Sequence, residues 1–172
     1  MDIKKSIREI PDFPIPGILF RDITTVLNDP TALKASIDAM ADLLADVQFD
    51  AILGPESRGF IFGMPLAYHM GKGFVPVRKE GKLPAATSRK EYDLEYGSAI
   101  IEIHRDAVTP GKRFVLVDDL LATGGTAKAA VDLVAEMGGH VAASIFFIEL
   151  AGLNGRKHLS NQNDIRSLLV YE

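Results

Sequence analysis

The chain has 172 residues, 47% of them hydrophobic and 24% charged, the balance of a folded protein able to bury one sizeable core and unlike that of a disordered one. A formal net charge of −4 supplies no basic face for sequence-independent nucleic-acid binding, and the lack of cysteine excludes disulfides, thiolate metal sites and cysteine nucleophiles. Without an apolar signal region or a run of about eighteen apolar residues, the expectation is a single soluble domain over 1–172, cytoplasmic, with neither a membrane nor a nucleic acid as partner.

In chain order, "MDIKKSIREIPDF" spaces Ile3, Ile7 and Ile10 on one helical face, which predicts a short N-terminal helix. The next stretch, "PDFPIPGILFRDI", holds three prolines and a glycine within seven residues and cannot be a regular element. Its Phe13, Ile15, Ile18, Leu19 and Phe20 argue for an ordered irregular segment. Asp29-Pro30 offers an N-cap and a first-turn proline to a helix whose Leu33, Ile37, Met40, Leu44 and Val47 form a core stripe.

Short Val- and Ile-rich runs then alternate with helical ones. Strands are expected at 50–54, 74–77, 99–104, 113–119 and 141–150, and helices from about Phe60 to Met70 and about Thr126 to Met137. Gly138-Gly139 would close the second of these. The pattern predicts an α/β fold, a parallel sheet with helices on both faces. Residues 80–97 carry little apolar content, which predicts a long loop of the kind that serves as a lid.

The sharpest chemical signal is "VLVDDLLATGGTA" (115–127). Gly124 and Gly125 allow a tight turn with inward N–H groups, Thr123 and Thr126 add hydroxyls, and the helix that follows brings its positive end to the same place. Such a loop suits a phosphate dianion, although it has neither the Walker spacing nor GxGxxG. Asp118 and Asp119 would repel that phosphate and should instead meet neutral donors on the same ligand. A ribose diol fits, because each hydroxyl donates to a carboxylate oxygen in a charge-assisted bond. The residues thus point to a ribose 5-phosphate; the bland alternative is an acidic strand end followed by a simple turn. His69, His104, His140 and His158 share no metal-ligand spacing and are assigned structural or surface roles, with no protein metal site.

The same stretch resembles the phosphoribosyl pyrophosphate (PRPP) motif of the type I phosphoribosyltransferases. "FPIPGILFRDI" (13–23), "GPESRGFIFG" (54–63), "VRKEGKLP" (77–84), "YDLEYG" (92–97) and the tail "SLLVYE" resemble, in that order, segments of the adenine-specific branch of that family. The resemblance covers essentially the whole chain. It implies a parallel-sheet type I phosphoribosyltransferase fold with a small N-terminal hood, roughly 1–30, and a mobile catalytic loop, roughly 80–97. It also implies transfer of the phosphoribosyl group from PRPP to adenine, giving AMP and pyrophosphate in purine salvage, with Mg²⁺ carried on the PRPP and pyrophosphate and a homodimer as the assembly.

Carried over residue by residue, the resemblance puts the ribose hydroxyls on Asp118 and Asp119 and the 5-phosphate on Ala122, Thr123, Gly124, Gly125 and Thr126. Arg58, Arg78 and Lys79 would face the pyrophosphate. Ile18, Leu19, Phe20 and Arg21 would line the hood over the base, and Glu95 would be the catalytic carboxylate beside Tyr96. Glu95 could accept a proton from the purine or stabilise the base as its proton leaves. Two alternatives keep the PRPP loop: transfer to an oxopurine (xanthine, hypoxanthine or guanine), and a non-catalytic PRPP-sensing regulator, for which the chain offers no basic surface.

Overall fold

The computed structural model describes residues 2–94, 96–159 and 164–172. A two-stranded antiparallel ribbon, β1 (Arg8–Ile10) with β2 (Phe20–Asp22), precedes two helices, α1 (Thr24–Asn28) and α2 (Pro30–Asp42). There follow β3 (Ala51–Pro55), α3 (Arg58–His69), β4 (Gly73–Lys79), β5 (Thr87–Asp93), β6 (Ser98–His104), β7 (Arg113–Leu121), α4 (Gly125–Glu136), β8 (His140–Leu150), α5 (Arg156–Leu159) and β9 (Asp164–Tyr171). Among the described residues β3 to β9 form one sheet in the order β5-β6-β4-β3-β7-β8-β9. The five strands from β4 to β9 in that order are parallel, while β5 and β6 make an antiparallel hairpin on the β4 edge.

Period-two alternation sorts the strand side chains into two cores. Ile52, Val115, Val117, Ile145 and Phe147 face α2 and α3, whose Ile37, Met40, Phe62 and Leu66 complete one layer. Leu53, Phe114, Leu116 and Phe146 face the other way, onto Ala130, Leu133 and Val134 of α4. Each fully buried Leu, Ile or Phe contributes about 1.5–3 kcal/mol, so both faces of the central strands hold the sheet in place. Asp29 caps α2 as its sequence predicts, accepting from the amides of Thr31 and Ala32 at 2.8 and 3.2 Å. Gly138, at φ +88°, ends α4. No helix among the described residues is long and apolar enough to cross a membrane.

Two expectations need correction. Residues 3–10 form a 3-10 turn (Ile3–Ser6) and then β1, not a helix. Ile3 and Ile7 are both buried as expected, but pairing with β2 satisfies the backbone instead. Residues 80–97 are not one loop, because β5 occupies 87–93. Its inward positions are Lys90 and Tyr92, whose polar ends hide the alternation: Lys90 pairs with Glu136, and the Tyr92 hydroxyl lies 3.1 Å from that of Thr126. The parallel sheet with helices on both faces is as expected, with that hairpin added antiparallel at one edge.

Candidate functional site

Four parallel strands, β3, β4, β7 and β8, end on one side of the sheet, the side on which ligands bind in open α/β folds. The strand of the acidic pair runs further than expected, to Leu121, so Asp118 and Asp119 sit within β7 and the turn begins at Ala122. Gly124 then adopts φ +85°, a left-handed conformation open to glycine at little cost, and α4 starts at Gly125. No side chain caps this helix; its first intrahelical bond runs from the Lys128 amide to the Gly124 carbonyl at 2.9 Å. The amides of the first turn are therefore left for an anion, where the helix dipole adds its positive end. Ala122, Thr123, Gly124, Gly125 and Thr126 border a cavity of about 320 Å³.

Asp118, Asp119 and Arg58 close the other wall of this cavity. Asp119 is 6% exposed and Arg58 Nε lies 2.9 Å from its Oδ2. Asp118 Oδ1 accepts from the Asp119 amide at 2.8 Å. Burial, and then the charge of Asp119, push the Asp118 carboxyl well above the ordinary carboxylate value. Burial raises Asp119 as well, against the opposing charge of Arg58. A pair held this way gains from any ligand that donates hydrogen bonds to it.

A second, mostly apolar cavity of about 200 Å³ adjoins the first and shares Arg58, Asp119 and Leu120 with it. Ile18, Leu19, Phe20 and Arg21 line it, together with Ile148 and Leu150 from the end of β8. Phe20 is steadied by Phe13, edge to face at 5.1 Å. The Arg21 guanidinium is paired with Glu9 and lies 4.2 Å over the Tyr171 ring. The cavity is thus a slot with apolar walls and an acidic, polar inner end.

Arg78 and Lys79 end β4 beside the β3–α3 turn and border neither cavity. Glu56 holds them: its Oε1 accepts from the Lys79 amide at 2.6 Å and lies 3.4 Å from Arg78 Nε. Although burial pushes the Glu56 carboxyl up, the Lys79 amide and the Arg78 charge outweigh it and hold the carboxyl below its usual value. Arg78 Nε is buried without a hydrogen bond among the described residues. The hairpin tip carries Tyr96, 88% exposed and away from both cavities. Glu95 lies outside the described residues.

Several residues at the site escaped sequence reasoning. Gly59 lets α3 approach the acidic pair, since a Cβ there would stand 3.1 Å from Asp118 Oδ1. Gly155 lies against the phosphate loop, and its neighbour His158 bonds the Thr123 carbonyl. Leu120, just past the expected strand, and Ile148 and Leu150, within the expected strand 141–150, were given no role. The available signal was positional: Leu120 follows the aspartates directly, and Ile148 and Leu150 lie at a strand's carboxyl end.

This strand-end cradle, acidic pair and hooded slot define a protein that handles a phosphorylated pentose. Residues 22–166 match the family model described as the phosphoribosyl transferase domain, and the chain belongs to that family. A Synechococcus adenine phosphoribosyltransferase is 58% identical over 172 residues, covering 100% of both chains. The crystal structure of adenine phosphoribosyltransferase from Thermoanaerobacter pseudethanolicus superposes with a TM-score of 0.95 at 56% identity, covering 99% of this chain and 98% of that one. The Saccharomyces cerevisiae enzyme, solved with adenine and an imino-altritol bisphosphate, gives a TM-score of 0.89 at 39% identity, covering 95% and 94%.

Proposed function

We infer that the chain transfers the 5-phosphoribosyl group of PRPP to adenine, giving AMP and pyrophosphate. The observation that carries this is the junction of the two cavities at Arg58, Asp119 and Leu120. A flat base in the apolar slot and a ribose 5-phosphate in the polar cradle would meet there, with the anomeric carbon between them. In this reading Asp118 and Asp119 accept hydrogen bonds from the ribose hydroxyls, and Ala122 to Thr126 hold the 5-phosphate. Backbone groups of Ile18 to Arg21 read the purine edge, since the Arg21 guanidinium is engaged elsewhere.

A purine nitrogen forms its bond to the anomeric carbon as the bond from that carbon to the pyrophosphate oxygen breaks. Positive charge grows on the sugar and negative charge on the departing oxygens. Arg58, with Arg78 and Lys79 close by, supplies fixed cations for the leaving group. Glu95 would take the purine's proton or stabilise the base as that proton leaves, and the β5–β6 hairpin, whose tip carries Tyr96 clear of both cavities here, would have to close over the reacting carbon to exclude water.

Mg²⁺ fits as a companion of the substrate. Among the described residues no group of three or more His, Asp or Glu could cage a metal, and of the two cavity aspartates one is paired with Arg58. Such a donor set suits an ion that arrives on phosphates with its waters, near Asp118 and Asp119. When bound it would neutralise charge on the pyrophosphate. The proposed setting is the cytoplasm, the proposed assembly a homodimer, and the whole of 1–172 one catalytic domain with a hood at its N-terminus.

The test is product formation by purified protein with PRPP and Mg²⁺, offering adenine, hypoxanthine, guanine and xanthine separately. AMP and pyrophosphate from adenine alone are expected. Activity only on an oxopurine would overturn the hood assignment, and no reaction with any base would overturn the catalytic one.

A further inference from the structure

The phosphate loop is backed by a second segment, Gly155 to Leu159, that borders neither cavity. A Cβ on Gly155 would stand 2.3 Å from the Ala122 carbonyl oxygen, and one on Gly124 would stand 2.7 Å from the Gly155 carbonyl oxygen, so the two backbones touch. The His158 ring completes the contact, with Nδ1 hydrogen-bonded to the Thr123 carbonyl. The segment is itself fixed. Arg156 makes a two-pronged pair with Glu149 at the end of β8, at 2.6 and 2.7 Å, and donates to the Ile165 carbonyl at 2.8 Å.

This contact sets the direction of a peptide plane. In a trans peptide the C=O and the following N–H point opposite ways and the plane does not flex cheaply. A Thr123 carbonyl held outward by His158 therefore turns the Gly124 N–H toward the cavity side. Gly124, at φ +85°, has no Cβ to fix its own rotation, so the loop depends on outside contacts for that orientation. We propose that His158 is a positioning residue for the phosphate loop: its Nδ1–H, holding the Thr123 carbonyl, presents the Gly124 amide to a bound phosphate ester. Because a carbonyl only accepts, the bond requires a proton on Nδ1. The proposal rests on the phosphoribosyl transfer reading for the identity of the anion, and not for the loop geometry.

The experiment compares parent, His158→Ala and His158→Asn; the asparagine side-chain amide can take the place of Nδ1–H. Calorimetry gives the Kd for ribose 5-phosphate, steady-state rates give KM for PRPP and for adenine, and a melt gives Tm. His158→Ala is expected to raise the Kd for ribose 5-phosphate and the KM for PRPP about three- to tenfold, the weight of one hydrogen bond, while the KM for adenine stays within about twofold. His158→Asn should restore most of that loss. An unchanged Kd in His158→Ala, an equal rise in both KM values, or no recovery in His158→Asn at parental Tm would each overturn the proposal. Failure of the parent to bind ribose 5-phosphate would instead strike the functional reading, and binding without turnover by the parent would leave the Kd comparison to decide on His158.

Discussion

Substituting Gly59 by alanine tests how tightly α3 is fitted to the acidic pair. The new Cβ would lie 2.9 Å from Pro55 Cδ and 3.1 Å from both the Val117 carbonyl oxygen and Asp118 Oδ1. β7 cannot retreat, because it is hydrogen-bonded to β3 on one side and to β8 on the other. Either α3 lifts or the Asp118 carboxylate leaves the Asp119 amide. Overpacking of this kind costs about 1–3 kcal/mol, and the gain from replacing glycine in a helix, at most about 1 kcal/mol, does not offset it. A net loss of roughly 1–2 kcal/mol corresponds to a Tm lowered by about 2–8 °C for a chain of this size. Moving a carboxylate away from a sugar hydroxyl removes a bond to a charged group, so the KM for PRPP should rise about ten- to a hundredfold. Gly73→Ala is the control: its Cβ meets only Ala51 Cβ at 3.8 Å, and its effect should stay within about 0.5 kcal/mol. A Gly59→Ala protein with parental Tm and parental KM for PRPP would refute the close-approach account.

Asp118→Asn should stabilise the protein at neutral pH while weakening PRPP. The raised Asp118 pKa means that the folded state holds this proton more tightly than the unfolded state, so its contribution is complete below the ordinary value of 3.8 and is lost as pH rises through the folded pKa. Melts across that range should show the variant gaining on the parent as pH increases; a constant difference would contradict the assignment. Arg156→Met strands Glu149, whose side chain is 6% exposed. After discounting for the half-exposed arginine, a loss of about 1–3 kcal/mol is expected in a denaturant titration, and no loss would show that the pair does not anchor the segment behind the phosphate loop. Glu95→Ala should lower kcat about a hundredfold or more with PRPP affinity largely kept, and unchanged turnover with adenine and PRPP both saturating would remove Glu95 from the chemistry.

The central sheet was legible because its strands are buried on both faces and read as unbroken Val and Ile runs. The cap at Asp29 and the stop at Gly138 were legible because capping is local chemistry. β5 was hidden, since a strand whose inward side chains are Lys90 and Tyr92 carries no apolar alternation. β1 was misread for a different reason. Isoleucines spaced by four and then three residues satisfy a helical pattern, yet here long-range pairing with β2 decided the backbone. At the site, the phosphate loop and acidic pair were readable because both depend on contiguous residues. The supporting contacts from Gly59, Gly155 and His158 were not, because each comes from a distant part of the chain and no local rule links a glycine to the carbonyl it must clear.

The features least favourable to folding collect at one end of the sheet. A half-buried and a buried carboxylate, Asp118 and Asp119, adjoin each other with raised pKa values, the Arg78 Nε is buried without a hydrogen bond among the described residues, and α4 begins without a side-chain cap. Nothing in the packing requires these: α2, on the same chain, has its cap, and the sheet face below the site is filled with Val, Ile and Phe. Each costs on the order of 1–3 kcal/mol when left unmet, and on the proposed function each would be met by a different part of one ligand type. In that reading, hydroxyls would satisfy the carboxylates and a phosphate the helix amides, while a diphosphate would answer Arg58 at the start of α3 and Arg78 near the end of β4. A mutation that improves folding at any one of these positions should therefore weaken the ligand group it would otherwise meet, and the converse holds for the glycines, whose replacement harms fold and site together because they provide clearance and no contact of their own.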